Sequence, residues 1–441
     1  MEPCFVGVPG RMAGHLIAIC LGLVVSLIMA TTAWADALTL EQAFALAEQN
    51  NPAYRAAQAS LIAARGELED ARSMLWNNPH ISTEVRRRNL TQIGGPSENL
   101  QDGGIGLSQT FEIAGQRGAR RGAAEQTLAA LQQSLEDLRR ELRAEVEQRF
   151  VQVISLQARI DMEGETRKLI ADAAAFVKKR VQAGEDSRLD GNLAVVELER
   201  ANNQLAQLGE QLIGARSALA AALQLPAELL PEAVGTLDPA SPRYGLDQLL
   251  ESATNRPRLR ALDHRESAAM NRLDLERASV YPDVTLGVNR GIEKGVDTRD
   301  NITIFSISLP LPLFRRNAAG IGRATTELTQ TQIEKQALHR DIRAQVLALR
   351  WRLGSLKARV ERLIASVLPS LEENQRLSAK ALQAGEIALP QLLLVGRQVL
   401  DGRRDLLNAR TELRLTQVAL EATAGWSARE SGEPPAAQTQ P

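Results

Sequence analysis

The chain has 441 residues, with 52 basic against 53 acidic side chains and a formal net charge of −1. That balance excludes the basic excess with which a nucleic-acid binder holds phosphate. Aromatic residues make up only 3% of the chain. That is too few for thick globular cores, and the abundance of Ala, Leu, Arg, Glu and Gln points to long helices packed as coiled coils.

Residues 1–35 read as a secretory signal. Arg11 precedes an apolar run from His15 to Ala30, and Ala33-Trp34-Ala35 has the small-x-small form of a processing site. The run is short for a membrane-spanning helix. Lipid attachment at Cys20 needs a small residue immediately before it, and Ile19 stands there. Both cysteines, Cys4 and Cys20, fall inside this segment, so the mature chain is expected to lack disulfides and thiolate metal sites. His80, His264 and His339 are scattered, none at metal-ligand spacing to another. Neither a metal site nor a cofactor site is expected. No nucleophile–base pair or phosphate loop occurs, so an enzyme is not expected.

The remainder is written twice. Arg139–Val146 (RRELRAEV) answers His339–Val346 (HRDIRAQV), and Ser155–Ile160 (SLQARI) answers Ser355–Val360 (SLKARV), both at an offset of 200. Gln182–Glu185 and Gln383–Glu386 both read QAGE, at an offset of 201, so one residue has been inserted between. Upstream, Leu40–Gln58 answers Leu246–His264, and Trp76–Val85 answers Val280–Val288. The expected layout is a first repeat over 36–225, a Pro-rich linker over 226–243, a second repeat over 244–426 and a disordered tail over 427–441. A period near 200 is too long for a solenoid and indicates a duplication.

Each repeat reads helix, β-hairpin, long helix, turn, long helix. Ile105, Leu107, Phe111 and Ile113 alternate with polar or small residues, as do Val284, Leu286 and Val288. Asn301–Pro312 is a further strand with a less clear face, and His80–Arg88 is the weakest of the four. Gly94–Gly104 is Gly-rich and reads as a flexible loop. Runs of about ten residues suit tilted membrane-spanning strands. If these strands span a membrane, four cannot close a barrel and an open edge is not tolerated in lipid, so several chains must share one barrel; the alternative is two soluble β-hairpins packed on the helices.

Gly115 to about Gln182 contains no proline, and as one helix it would be roughly 100 Å long. Leu128, Leu131, Leu135, Leu138 and Leu142 form a heptad seam along it. After the first QAGE the seam runs Ala194, Leu198, Ala201, Leu205, Leu208, Leu212, Ala215, Leu219, Ala222. After the second it runs Val395, Val399, Gly402, Leu406, Ala409, Leu413, Thr416, Leu420. Gly184 and Gly385 stand where one long helix stops and the next begins, so each QAGE is the tip of a helical hairpin remote from the strands.

This plan resembles the TolC family of outer-membrane efflux proteins over about 38–426. The resemblance rests on the duplication, on Pro79 and Pro282 at the strand entries, and on the tip sequences Arg180–Ser187 (RVQAGEDS) and Ala381–Ala388 (ALQAGEIA), the second without the Arg. Leu107–Arg120 and Ile307–Gly320 look like the CzcC-like branch, which handles heavy-metal cations. The resemblance implies a mainly α fold with β: a TolC-like protomer with four transmembrane β-strands and long antiparallel coiled-coil helices. Three copies would form a 12-stranded β-barrel and a periplasmic α-barrel.

Implied partners are two further copies of the chain, a periplasmic adaptor (membrane fusion protein), an inner-membrane pump of the resistance-nodulation-division class, and outer-membrane lipid, with no nucleic acid. Passive export in a tripartite system is implied, the cargo being cations such as cobalt, zinc, cadmium, copper or silver. The residues carried over as adaptor-docking tips are Arg180, Val181, Gly184, Ser187, Gly385 and Glu386. Family members narrow the periplasmic mouth with acids after the tip glycine. Asp190 fits that pattern, with Glu185 and Asp186 nearby, whereas the second repeat has Gln391 and Leu394 at the comparable places. The alternatives are a duct for drug efflux or type I protein secretion, and a periplasmic coiled-coil scaffold without a pore.

Overall fold

The computed structural model describes residues 37–90, 97–185, 187–238, 244–295, 298–384, 386–387 and 389–426. The expected signal segment, the expected tail, Asp186 and Gly385 lie outside the described residues.

In chain order the elements are helices α1 (Leu40–Asn50) and α2 (Pro52–Arg72), strands β1 (His80–Leu90) and β2 (Glu98–Phe111), and helices α3 (Gln116–Ala183) and α4 (Arg188–Leu223). The second series is α5 (Leu246–Thr254), α6 (Pro257–Ala278), β3 (Val284–Lys294), β4 (Arg299–Ser308), α7 (Ala318–Arg362), α8 (Leu368–Gln383) and α9 (Leu389–Ala424). The same order of elements occurs twice, as the duplicated text predicts. Local signals set the boundaries. Thr39 and Gln42 form a reciprocal capping box at the start of α1. Pro257 opens α6 at a position where the missing N–H costs nothing.

The two series differ at one place. α3 is a single helix of 68 residues, about 100 Å at 1.5 Å per residue. Its counterpart passes from α7 to α8 through a π turn at Leu363–Val367. The extra residue of the second repeat falls between Val360, where the offset is 200, and Gln383, where it is 201. A π turn spends one more residue per hydrogen-bonded ring than an α turn, so the insertion is absorbed inside the helix rather than expelled as a loop.

The four strands form one antiparallel sheet in the order β1-β2-β3-β4. Ile81 pairs with Leu107, Leu107 with Val288, and Val288 with Phe305. Gln109, Leu286 and Ile307 form a parallel row. One face therefore carries Ile81, Ile105, Leu107, Leu286, Val288, Phe305 and Ile307, with Phe305 82% and Ile307 77% exposed. The other carries Ser82, Gly106 and Asn289 in one row and Ser108, Gly287 and Ser306 in the next. β4 is apolar on both faces, since Ile302 and Ile304 stand among these polar neighbours, which explains its unclear alternation.

The flexible loop expected over Gly94–Gly104 is corrected. Glu98–Gly104 belong to β2 and pair with Glu84–Leu90, while Gly94–Pro96 lie outside the described residues. Composition misleads here because glycine serves close packing. A Cβ on Gly106 would stand 2.6 Å from Ser82 Oγ, a collision. Near the hairpin turns, Arg88 donates from Nε (2.6 Å) and Nη2 (3.1 Å) to Asp102. Asp102 also accepts the Lys294 N–H at 3.0 Å and is only 6% exposed. One carboxylate thus ties together β1, β2 and β3 beyond the last β2–β3 pair, Gly103 with Ile292.

The chain packs as two compact units, each built from both repeats. Among the described residues, one takes 37–51, 142–238 and 352–418; the other takes 52–141, 244–351 and 419–426. In the first unit Val146, Phe150, Val153, Leu208, Leu219, Leu223 and Ala409 are buried. Ion pairs Arg404–Glu163 and Arg414–Glu147 join α3 to α9, and Arg143–Glu48 joins α3 to α1. Leu38 bridges Ala233 of the linker.

In the second unit Leu61, Leu68, Leu249, Leu259, Ala269 and Leu273 are buried. Arg256 reaches Asp137 at 2.9 Å and Glu141 at 3.1 Å. The face of α3 turned to α6 is made of small and polar residues: Ala123, Ala130 and Asp137 are buried at steps of seven. Gln126 bonds His264 at 2.8 Å and Thr127 bonds Arg272 at 2.9 Å. Of the expected leucine seam, Leu142 is buried, while Leu128, Leu131, Leu135 and Leu138 are half-buried within the single chain. The seams of α4 and α9 are buried or half-buried throughout.

Candidate functional site

The two helical turns are where the candidate site residues gather. At the first, Gly184 has φ +79°, a left-handed conformation that disfavours any residue with a Cβ. Its N–H bonds Val181 C=O at 3.1 Å, and the Glu185 N–H bonds Arg180 C=O at 2.9 Å. These two bonds are the Schellman arrangement that ends a helix at glycine. At the second turn the Glu386 N–H bonds Ala381 C=O at 2.9 Å, the same long closure at the repeated position, with Gly385 itself outside the described residues.

The side chains at the first turn have partners within it. Arg180 Nε lies 3.7 Å from Glu185 Oε2, and its guanidinium stands 5.7 Å from the centre of the Phe176 ring. Val181 faces the first turn of α4, since a Cβ on Gly191 would meet its Cγ2 at 3.3 Å. Ser187 is the N-cap of α4, accepting from the Asp190 N–H at 3.1 Å. Its hydroxyl donates to Asp190 Oδ2 at 2.6 Å. The Asp190 carboxylate is therefore held at the positive end of α4, where a helix favours an anion. In the second repeat Glu386, Gln391 and Leu394 are exposed. Sequence reasoning brought Arg180, Glu185, Ser187 and Asp190 to one turn, where the structure shows Arg180 and Glu185 as an ion pair and Ser187 and Asp190 as a hydrogen-bonded pair.

One element of this region was missed. Arg397 of α9 reaches Glu197 of α4, Nη2 to Oε2, at 2.6 Å, and Glu197 also takes Arg200 at 3.0 Å. A partial signal existed: Glu197 lies nine positions beyond the first residue of α4 and Arg397 eight beyond that of α9. Only packing shows that the two helices run side by side. Leu189, Leu193 and Leu394, all exposed, leave apolar surface near the turns.

Among the described residues no group of three or more His, Cys, Asp or Glu side chains is placed to hold a metal ion. No helix among them is long and apolar enough to cross a membrane. An open groove of about 570 Å³ in the second unit is lined by Trp76, Arg120, Arg272 and Glu327, among others. Two of its cations, Arg120 and Arg272, are already engaged. Arg120 lies over the Trp76 ring at 3.9 Å and pairs with Glu112, and Arg272 pairs with Glu327.

The sequence profile of the outer membrane efflux protein family matches residues 44–224 and 249–426, one stretch in each repeat. The cobalt-zinc-cadmium resistance protein CzcC of Cupriavidus metallidurans is 29% identical over 381 residues, covering 85% of each chain. The nickel-cobalt-cadmium resistance protein NccC of Alcaligenes xylosoxydans xylosoxydans is 24% identical over 70% of this chain and 69% of its own. Among solved structures, CusC, described for its transmembrane channel formation, superimposes with a TM-score of 0.72. It has 18% identity and covers 89% of this chain and 94% of its own.

Proposed function

The chain belongs to the outer membrane efflux protein family, and from that premise we propose that this outer-membrane transport protein is the exit duct of a tripartite efflux assembly carrying heavy-metal cations. The observation that carries the reading is the sheet. Its register gathers Ile81, Leu107, Val288 and Phe305 into one row of one face, while the other face is rich in Ser and Gly over β1 to β3. Such a sheet suits a wall between lipid and a water-filled lumen. It has two free edges, β1 and β4, and lipid does not tolerate free edges. Three copies would close them in a twelve-stranded barrel.

The chain does no chemistry of its own in this reading, and movement through it is passive. A resistance-nodulation-division pump in the inner membrane would drive export, and a periplasmic adaptor would join the pump to the tips. Arg180, Val181, Gly184, Ser187, Gly385 and Glu386 would form the docking turns. Asp190, with Glu185, Asp186, Gln391 and Leu394, would form the periplasmic gate. A ring of three Asp190 carboxylates would favour cations by field alone. The metal cargo is supported by relatives whose names specify cobalt, zinc, cadmium and nickel resistance.

The test is growth of a strain lacking this gene across zinc, cobalt, cadmium, nickel, copper and silver, with lipophilic dyes and detergents alongside. Sensitivity to a subset of the metals alone, restored by the intact gene, is the expected result. Sensitivity to dyes without metals would move the duct to drug efflux. Tolerance of everything would overturn the metal assignment.

A further inference from the structure

We propose that the segment Leu309–Arg316, which follows β4, is an interfacial anchor that seats on acidic phospholipid of the periplasmic leaflet. This rests on the reading of the chain as an outer-membrane channel whose long helices lie in the periplasm. The β3–β4 ladder ends at Thr285 with Ser308. Beyond it the sequence reads Leu-Pro-Leu-Pro-Leu-Phe-Arg-Arg. In β4 the apolar, lipid-facing row is Phe305 and Ile307, at odd positions. Leu309, Leu311 and Leu313 continue the odd series, and Leu311 is 69% and Phe314 95% exposed. Arg315 and Arg316, both exposed, follow directly, two residues before α7 begins. Apolar surface continuous with a membrane-spanning face, ended by two cations, has the order of a bilayer edge: acyl chains, then headgroups.

Two other occupants fit the segment less well. A strand from another copy would need main-chain donors. Pro310 and Pro312 have none, and the Leu313 N–H is bonded to Leu311 C=O at 2.9 Å, so little remains for a ladder. Lipopolysaccharide lies in the opposite leaflet, at the end of the strands where the hairpins turn. Arginine is the cation suited to phosphate, because its planar fork makes paired hydrogen bonds. The first repeat has no such signature. Its corresponding stretch is Gln109–Gln116 (QTFEIAGQ), with Glu112 in it, and Glu112 is paired with Arg120. The anchor therefore belongs to one hairpin of the two and would recur once per copy around the barrel.

The experiment uses the full mature protein, purified as its oligomer and reconstituted into vesicles of phosphatidylcholine and phosphatidylglycerol. Phe314→Trp adds a reporter, and its emission is taken as the difference from the parent protein. Acyl-chain-brominated phospholipid should quench the added emission and aqueous iodide should not. Quenching by iodide alone would place the segment in water, and quenching by neither would show that protein covers it; either result overturns the anchor. In a second measurement, Arg315→Gln with Arg316→Gln should lower the enrichment of phosphatidylglycerol co-purified from mixed vesicles, on the order of fivefold per arginine. Unchanged enrichment would remove the headgroup from the proposal. An oligomer that inserts and restores metal resistance while the new indole stays in water sinks the anchor alone. A chain that never inserts sinks the channel reading as well.

Discussion

Arg397 and Glu197 form a 2.6 Å ion pair between the two helices that leave the tip turns, α9 and α4. The guanidinium side chain is about half exposed and the carboxylate side chain a quarter. The pair fixes the spacing of two helices that would line the periplasmic mouth. A partly exposed pair contributes about 0.2–1 kcal/mol, enough to shift a two-state opening equilibrium by up to about fivefold. Arg397→Ala should raise the open fraction in single-channel recordings by that order, and adding Glu197→Gln should give little more. A trace identical to the parent's would show that the pair does not bear on opening.

Gly184→Val forces a β-branched residue into φ +79°, at a cost of about 1–2 kcal/mol. The long helices have far more contact area than one turn, so the oligomer should survive on detergent gels. The turn should not keep its shape, and metal resistance should fall to that of the deletion strain. Resistance equal to the parent's would remove the turn from docking.

Asp190 both bonds the Ser187 N-cap and carries a charge. Asp190→Asn keeps an oxygen to accept from the Ser187 hydroxyl (2.6 Å in the parent) but removes the charge. Cation-over-anion preference should drop, with thermal stability within about 0.5 kcal/mol of the parent. Ser187→Ala should do the reverse, costing about 1 kcal/mol of helix stability and leaving ion preference alone. If Asp190→Asn leaves selectivity as it was, the residue only supports the Ser187 cap and is not part of a gate.

Glu266 of α6 and Lys335 of α7 are joined at 2.8 Å, and Lys335 also reaches Asp263 at 2.7 Å. Hydrogen bonds from Lys335 and Gln332 hold the Glu266 carboxyl below its ordinary value. Bonds to Asp263 and Glu266 raise the Lys335 ammonium above its own. The Glu266 contribution is present above the ordinary carboxylate range and is lost as pH falls through its lowered value. The Lys335 contribution is present below the ordinary lysine range and is lost as pH rises through its raised value. Glu266→Gln should therefore lower the unfolding midpoint at neutral pH, and the difference from the parent should shrink as the pH falls below the ordinary carboxylate range. A difference that stays constant with pH would mean the carboxylate charge is not what stabilises α6 against α7.

Much of this architecture was legible because its signals are local. Period-two alternation at Val284–Val288 marks a strand without reference to any neighbour. The absence of proline from Gly115 to Gln182 permits one unbroken helix, and Gly184 ends it. The weak strand at His80–Arg88 and the glycines near Gly104 were harder to read. Their strand character comes from partners: Glu84 and Arg86 face Gly104 and Asp102, and the glycines make room for Ser82 and Asn289. The leucines of α3 show the same limit. A heptad announces a seam, but of its leucines Leu142 alone is buried within one chain; beside the other four it is Ala123, Ala130 and Asp137 that are buried, because α6 approaches that side.

By itself the sequence determined the duplication, the order of elements in each repeat, the glycine turns and the presence of one extra residue in the second long helix. Each of these depends on spacing along the chain, and spacing is what a sequence contains. The tertiary structure alone decided the register that puts Leu107, Val288 and Phe305 in one row, the pairing of Glu163 with Arg404 across 241 positions, and the fate of the extra residue. A strand of alternating residues has two faces whatever it pairs with, but a slip of one residue exchanges them. An inserted residue can leave a helix as a loop or stay within it as a π turn. Here the helix continues on both sides of Leu363–Val367 and retains it.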